Sequence, residues 1–237
     1  MLAPHTKEEM TSYYEEIWEN PRDFRNAIFQ KLNEYVASRV GEGFGRTALD
    51  LGSGKGAIIR ILLEHGYDVT GVEIGEKLAA DLRLKYPRAE IFCSDVNSFS
   101  SETRYDLVTC IELTQNLSRG DLADLLKRLT RMAGKLLLNI SNANSLHGKW
   151  VRWRGFLAPF VHEYHPDVLE QMLRDAAWVV THRMGIGCVT PISLFSNFRC
   201  KLIPVWLVNA LNRFLDAYFT NHCHVYYVEA VNPAFLP

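Results

Sequence analysis

The stretch ALDLGSGKG, Ala48 to Gly56, decides the fold. It sets a short apolar strand, Thr47 to Leu51, against three glycines at Gly52, Gly54 and Gly56. A turn so rich in glycine lets the backbone come very close to a bound molecule. The helical pattern GAIIRILLEHG follows at once and is expected to stop on Gly66 in a left-handed cap. A strand, a glycine turn and a helix in immediate succession open a nucleotide-binding α/β unit.

The rhythm continues downstream. Strand DVTGVE (68–73) precedes helix EKLAADLRLKY (76–86), which Pro87 ends. Strand EIFCSDV (90–96) leads into a loop through Ser98 to Arg104, and strand YDLVTCIEL (105–113) follows. Ser118 and Asp121 have the spacing of a capping box for a helix reaching toward Gly134, and KLLLNIS (135–141) is a fifth strand. Strands alternating with helices in this way predict parallel strands joined by right-handed crossovers, a doubly wound α/β sheet.

Upstream, residues 6–40 read as helices broken at Asn20-Pro21, with Phe24, Ile28, Leu32, Tyr35 and Val36 at helical spacing. Past Asn142 the connector NANSLHGKWVRWRGFLAPFVHEYH is too long for an ordinary strand-to-helix link. Helix PDVLEQMLRDAAW and strand VVTHRMGI come next, then about thirty residues containing KLIPVWLVNALNRFLDAYF, and a last strand HVYYVEAV. The expected organisation is one domain over 1–237: N-terminal helices in 1–45, a cofactor-binding half in 46–142, and acceptor-side insertions at 143–165 and 188–223.

Composition narrows the function. With 26 basic and 27 acidic side chains the net charge is -1, so nothing advertises nucleic acid as a partner. The five cysteines are odd in number and scattered without a C-x-x-C spacing, which points to reduced thiols in a cytoplasmic protein and to no metal site. MLAPHTKEEM has neither a basic nor an apolar leader region, so no export signal is expected. Pro204, Asn209, Asn212, Arg213 and Asp216 interrupt the apolar segment 201–219, which reads as a cap over an acceptor pocket, a core helix or an oligomer contact.

Charge selects the ligand. A phosphate-cradling G-x-x-x-x-G-K-[ST] loop is absent, since Lys55 is followed by glycine. Gly52, Gly54, Ala57 and Glu73 fit a dinucleotide fingerprint loosely, but Asp50 at the strand end would repel a pyrophosphate. S-adenosylmethionine carries an ammonium and a sulfonium and no phosphate, so the same carboxylate attracts it. Glu73 is placed to accept from ribose hydroxyls, Asp95 from the adenine amine, and the Val96 N–H to meet a ring nitrogen.

LDLGSGKG, GVEIGE, CSDV and YDLVTCIELTQNL, in this order, resemble the class I S-adenosylmethionine-dependent methyltransferases from about Thr47 to Val189. The resemblance implies a seven-stranded, mostly parallel, Rossmann-like sheet with HVYYVEAV antiparallel, an N-terminal helical lid and an inserted helical cap. It implies that Asp50, Gly52, Ser53 and Gly54 surround the methionine portion, Glu73 and Ile74 the ribose, Asp95 and Val96 the adenine, and Ile111 or Glu112 the far side of the methionine. Tyr14 in SYYEEIW becomes a lid residue. The product is S-adenosyl-L-homocysteine.

Where many relatives carry a histidine after the fourth strand, ELTQNL has Asn116, which accepts no proton. Bases are sought instead in the long connector, at His147, His162, Glu163, Tyr164 and His165, with His162 favoured over His165. The expected reaction is methyl transfer to oxygen or nitrogen of a small apolar or aromatic metabolite. A membrane-associated quinone or lipid-precursor methyltransferase, a nicotinamide-dependent oxidoreductase and a non-catalytic S-adenosylmethionine-binding protein stay open, as do a membrane contact and a homodimer.

Overall fold

The computed structural model describes residues 23–153, 155, 161–188, 212, 214–216 and 218–235. The lid expected around Tyr14 and the stretch 189–211 lie outside the described residues.

Helix α1 (Asp23–Val40) leads into β1 (Thr47–Leu51), α2 (Ala57–Glu64), β2 (Asp68–Glu73), α3 (Glu76–Lys85) and β3 (Glu90–Cys93). Then come β4 (Tyr105–Cys110), a 3-10 turn (Thr114–Asn116), α4 (Arg119–Leu129), β5 (Ala133–Ser141), α5 (Leu146–Trp153), α6 (Pro166–Asp175), β6 (Val179–Ile186) and β7 (Val225–Val231). The seven strands form one sheet in the order β3-β2-β1-β4-β5-β7-β6. All pairings from β3 to β5 are parallel, whereas β7 runs antiparallel to both β5 and β6. This is the mostly parallel doubly wound sheet that the alternation predicts.

Alternation along the strands gives each face its own core. Leu49, Leu51, Val108, Leu136 and Leu138 pack with Leu122, Leu126 and Leu129 of α4 and Leu169 and Leu173 of α6. On the opposite face, Ala48, Leu107, Leu137 and Tyr227 pack with Leu32, Val36 and Val40 of α1 and Ile58, Ile59 and Leu62 of α2. Strands β1, β2, β4, β5 and β7 are therefore buried on both sides over most of their length, which is why they read as nearly continuous apolar runs, whereas the edge strands β3 and β6 are partly exposed.

Helix ends show what the pattern could and could not locate. Ser118 caps α4 by accepting from the Asp121 N–H at 3.2 Å, as its spacing predicts. Gly66, at φ 89°, closes α2 with Tyr67 N–H bonded to Leu62 O and Gly66 N–H to Leu63 O, the paired bonds of a Schellman motif. Helix α6 ends the same way, three residues short of the expected Trp178: Trp178 N–H bonds Leu173 O and Ala177 N–H bonds Arg174 O. The left-handed residue there is an exposed alanine, Ala177 at φ 62°, a conformation that costs a side-chain-bearing residue about 1 kcal/mol relative to glycine. Ala177→Gly is accordingly expected to raise unfolding stability by about 1 kcal/mol, read by urea denaturation at unchanged m.

Strands β3 and β4 also end early. The chain leaves β3 at Cys93, so Asp95 sits in a tight turn and not on a strand tip; Ser98 and Phe99 N–H both bond Asp95 O. It leaves β4 at Cys110, because Glu112 takes φ 58°, two residues before the 3-10 turn begins at Thr114. The long connector after β5 divides into α5 and an extended run, 161–165, laid beside the end of β5, with Tyr164 N–H on Ser141 O and Ala143 N–H on Tyr164 O.

Candidate active site

In this strand order the chain reverses direction between β1 and β4, and open α/β sheets bind ligands in the crevice at that point, beyond the carboxyl ends of the strands. The glycine turn rises there. Gly52, Gly54 and Gly56 have φ of 75°, 51° and 79°, the left-handed region that a β-carbon disfavours. At Gly56 a methyl group would also strike Tyr86, just past the end of α3, and Leu82 within it, at 2.4 and 2.6 Å. Gly52 and Ser53 N–H both bond Val72 O, which fixes the turn to β2.

Asp50 stands at the base of this turn, 2% exposed. In register it lies across from Thr109 on β4 and Gly71 on β2. Thr109 Oγ1 donates to Asp50 Oδ1 at 2.8 Å, while Oδ2 is buried without a hydrogen-bond partner among the described residues. Burial pushes the Asp50 carboxyl up to about 6, with the charge of Glu73 adding to the rise and the Thr109 bond opposing it. As a raised carboxyl, it binds its proton more tightly folded than unfolded; the unliganded protein thereby loses about 3 kcal/mol of stability as the pH rises from near 4 to above 6. A cation beside Oδ2 removes that penalty.

Glu73 ends β2 at 6% exposure. Its Oε2 accepts from Gly54 N–H at 2.8 Å and its Oε1 from Gly75 N–H at 2.9 Å, so one carboxylate joins the glycine turn to the turn before α3. Each oxygen keeps a lone pair for a further donor. Half-buried Ile74 follows, its carbonyl accepting from the Cys93 thiol.

Asp95, half-buried, accepts from Asn97 N–H at 2.9 Å through Oδ1. Val96 turns its side chain into the core, and its carbonyl accepts from Arg128 at 2.8 Å, while Phe99 O accepts from the same guanidinium at 2.9 Å. Arg128 of α4 thus sets the shape of the loop that carries Asp95 and Val96. Ile111 is likewise buried in the core around α1 and α2, so its side chain supports the site from below.

Glu112 is the strained member. Asn139 of β5, fully buried, grips it twice: Glu112 N–H donates to Asn139 Oδ1 at 2.7 Å and Asn139 Nδ2 donates to Glu112 Oε1 at 2.5 Å. Gln115 donates to Oε2 at 3.1 Å, and Thr114 Oγ1 donates to Asn139 O at 2.5 Å. Burial holds the Glu112 carboxyl above the usual carboxylate range, partly offset by these two amides.

The two histidines fall in different places. His162 is exposed, and its N–H bonds Gln115 O at 2.7 Å, which seats it on the turn after Glu112. His165, also exposed, caps α6 and donates from Nδ1 to Asn144 Oδ1 at 2.8 Å, leaving Nε2 as its basic nitrogen. Between them Tyr164 is buried, its hydroxyl donating to Leu117 O at 2.6 Å, and Glu163 pairs with Arg152. The Nδ1 bond ties His165 to Asn144 near the start of the connector, whereas His162 is seated by its backbone on the turn at Gln115. Among the described residues no cluster of three or more histidine, cysteine or acidic side chains could hold a metal ion.

No site role is assigned from the sequence to Thr109, Gln115, Arg128 or Asn139, although Thr109 and Gln115 lie within YDLVTCIELTQNL. A signal is present for two of them: Thr109 in DLVTC and Asn139 in LLLNIS are polar residues set in otherwise apolar buried strands. A buried polar residue near a strand's carboxyl end must find a partner, and the ligand crevice is where partners are short.

A family model described as "Methyltransferase domain" matches residues 9–183. The chain belongs to this family and is a class I S-adenosylmethionine-dependent methyltransferase. Among curated proteins it is similar to the ubiquinone biosynthesis O-methyltransferase of Bordetella avium (strain 197N), 29% identical over 108 residues, which are 42% of this chain and 45% of that protein. The chain thus matches about half the length of the curated relatives, or less. In fold it is similar to the magnesium protoporphyrin IX methyltransferase from Synechocystis PCC 6803 solved with bound S-adenosylhomocysteine, TM-score 0.68 at 14% identity over 96% of this chain and 100% of that one. It is similar also to a glycopeptide N-methyltransferase, TM-score 0.57 at 16% identity over 85% and 88% of the two chains.

The donor set suits the family's cofactor. A buried carboxylate oxygen without a partner accommodates an ammonium, and acceptor-rich Glu73 accommodates a diol. S-adenosylmethionine supplies a methyl group on a positively charged sulfur.

Proposed function

We propose that this methyltransferase acts on an oxygen or nitrogen of a small apolar or aromatic metabolite. The observation that supports the cofactor side of the reading is the buried Oδ2 of Asp50, without a partner among the described residues, at the foot of the glycine turn, with Glu73, Asp95 and Glu112 near the same strand ends; the acceptor class is the part that the labelling experiment below tests. In this reading Asp50 meets the ammonium, Gly52, Ser53 and Gly54 pass close to the methionine portion, Glu73 and Ile74 hold the ribose, Asp95 and the Val96 N–H read the adenine, and Glu112 closes the far side.

Methyl transfer is an in-line displacement, so alignment of the acceptor supplies most of the rate and only the acceptor's proton needs a base. His162 is the better base of the two histidines, because its backbone is bonded to the turn that carries Gln115 and Glu112. His165, held by Asn144, orients the connector. Incubation of the protein with methyl-labelled S-adenosylmethionine and a panel of hydrophobic phenols and aryl amines should label at least one class. Label reaching water alone, or nothing, across the panel would sink the reading.

A second reading, an acceptor with a long isoprenoid-type tail, draws on the names of the curated relatives and on exposed Trp153, Phe214 and Tyr218. Among the described residues no helix is long and apolar enough to cross a membrane. This reading predicts a kcat/KM that climbs as the phenol's alkyl tail lengthens; a flat series rejects it.

A further inference from the structure

Two of the cysteines, scattered in sequence, come together in the fold. Cys188 lies two residues past Ile186 on β6, and Cys223 two residues before Val225 on β7, the residue that Ile186 faces across the ladder. The pairing continues one step beyond the strands, with His224 N–H bonded to Gly187 O at 3.2 Å. Residues that face one another across antiparallel strands have Cα atoms about 4.5 to 5.5 Å apart, within the range a disulfide spans.

A buried carboxylate bridges the two. Asp216 Oδ1 accepts from the Cys188 N–H at 2.8 Å and from the Cys223 thiol at 3.5 Å. Its Oδ2 accepts from Gly187 N–H at 3.2 Å and pairs with Lys31 at 2.6 Å. Cys223 is buried and Cys188 half-buried. Burial pushes both thiols up, and each thiol acts on the other's ionisation. The other described cysteines stand apart from this pair: Cys93 is exposed on β3 and Cys110 lies in the core on β4.

We propose that Cys188 and Cys223 form a redox-sensitive pair, converted by peroxide into a disulfide that fastens together the two ends of the segment leading from β6 to β7. The half-buried Cys188 sulfur attacks one oxygen of hydrogen peroxide; the O–O bond breaks, the departing hydroxide leaves as water with the Cys188 proton, and a sulfenic acid remains. Cys223 sulfur then attacks the Cys188 sulfur. Its proton passes to Asp216 and on to the hydroxide released as the S–O bond breaks, giving a second water. Two thiols lose two electrons, and one peroxide becomes two waters.

The pair is independent of the methyl-transfer reading, and its test uses the full chain without cofactor. After brief treatment with hydrogen peroxide the intact mass should fall by two hydrogens, the thiols titrated in denaturant should drop from five to three, and non-reducing peptide maps should join Cys188 to Cys223. Dithiothreitol should reverse all three changes, and Cys188→Ser should abolish the link. A link from either residue to Cys200, or a mass that gains oxygen at Cys188 with no link formed, would overturn the proposal.

Discussion

Replacing Glu73 with alanine should weaken binding of S-adenosylhomocysteine about 100-fold, measured as Kd by calorimetry. Two effects add. The substitution removes the acceptor for the hydroxyl donors that the proposed reading assigns to Glu73, and charge-assisted hydrogen bonds contribute about 1.5 to 3 kcal/mol each. It also frees Gly54 and Gly75 N–H, so the two turns that the proposed reading sets beside the adenosine are no longer held in one geometry. About 2.7 kcal/mol corresponds to the 100-fold change. Glu73→Gln should fall between the two proteins, because its carbonyl oxygen still accepts while its amide group faces an N–H. An alanine variant with unchanged Kd would show that Glu73 serves the turn alone.

The second large effect is on stability. Asn139→Leu keeps the volume but removes every partner that Asn139 gives Glu112 through its side chain. A half-buried N–H and a half-buried carboxyl oxygen are then left unsatisfied, at about 1 to 3 kcal/mol each where burial is complete and toward the lower end here. Glu112 at φ 58° also loses the clasp that holds it in a disfavoured conformation. A loss of about 3 kcal/mol is expected, which for a chain of 237 residues lowers Tm by roughly 6 to 12 °C. Adding Glu112→Gly should restore part of it, because glycine accepts the left-handed backbone and brings no carboxyl to bury. Purely additive losses in the double variant would mean the two residues are not coupled.

That pair also explains where the sequence was legible. The mostly parallel doubly wound sheet could be anticipated because each parallel strand and its crossover helix announce themselves by local periodicity, and the glycine turn and the caps at Gly66 and Ser118 are local signals too. The end of β4 was not local. Read alone, YDLVTCIEL continues to Leu113; the strand stops at Cys110 because an asparagine on the next strand takes the Glu112 N–H. Asp95 was moved off its strand tip by a turn closed on its own carbonyl, and α6 stopped on an alanine where a glycine would have marked the place. The carboxylates proposed for the site come from the sequence, whereas Thr109, Arg128 and Asn139, which hold them or their loops in place, depend on contacts from other strands and helices.

Calorimetric titration of the protein with S-adenosylhomocysteine at pH 5 and pH 7, in buffers of differing ionisation enthalpy, reaches the central claim most directly. Asp50, with its carboxyl near 6, is mostly protonated at the lower pH and must ionise to meet an ammonium, so binding should release close to one proton at pH 5 and almost none at pH 7. The affinity should be about tenfold tighter at pH 7. Binding that is indifferent to pH, or heat with a pyrophosphate coenzyme and none with S-adenosylhomocysteine, would contradict the assignment of Asp50 and of the crevice it anchors.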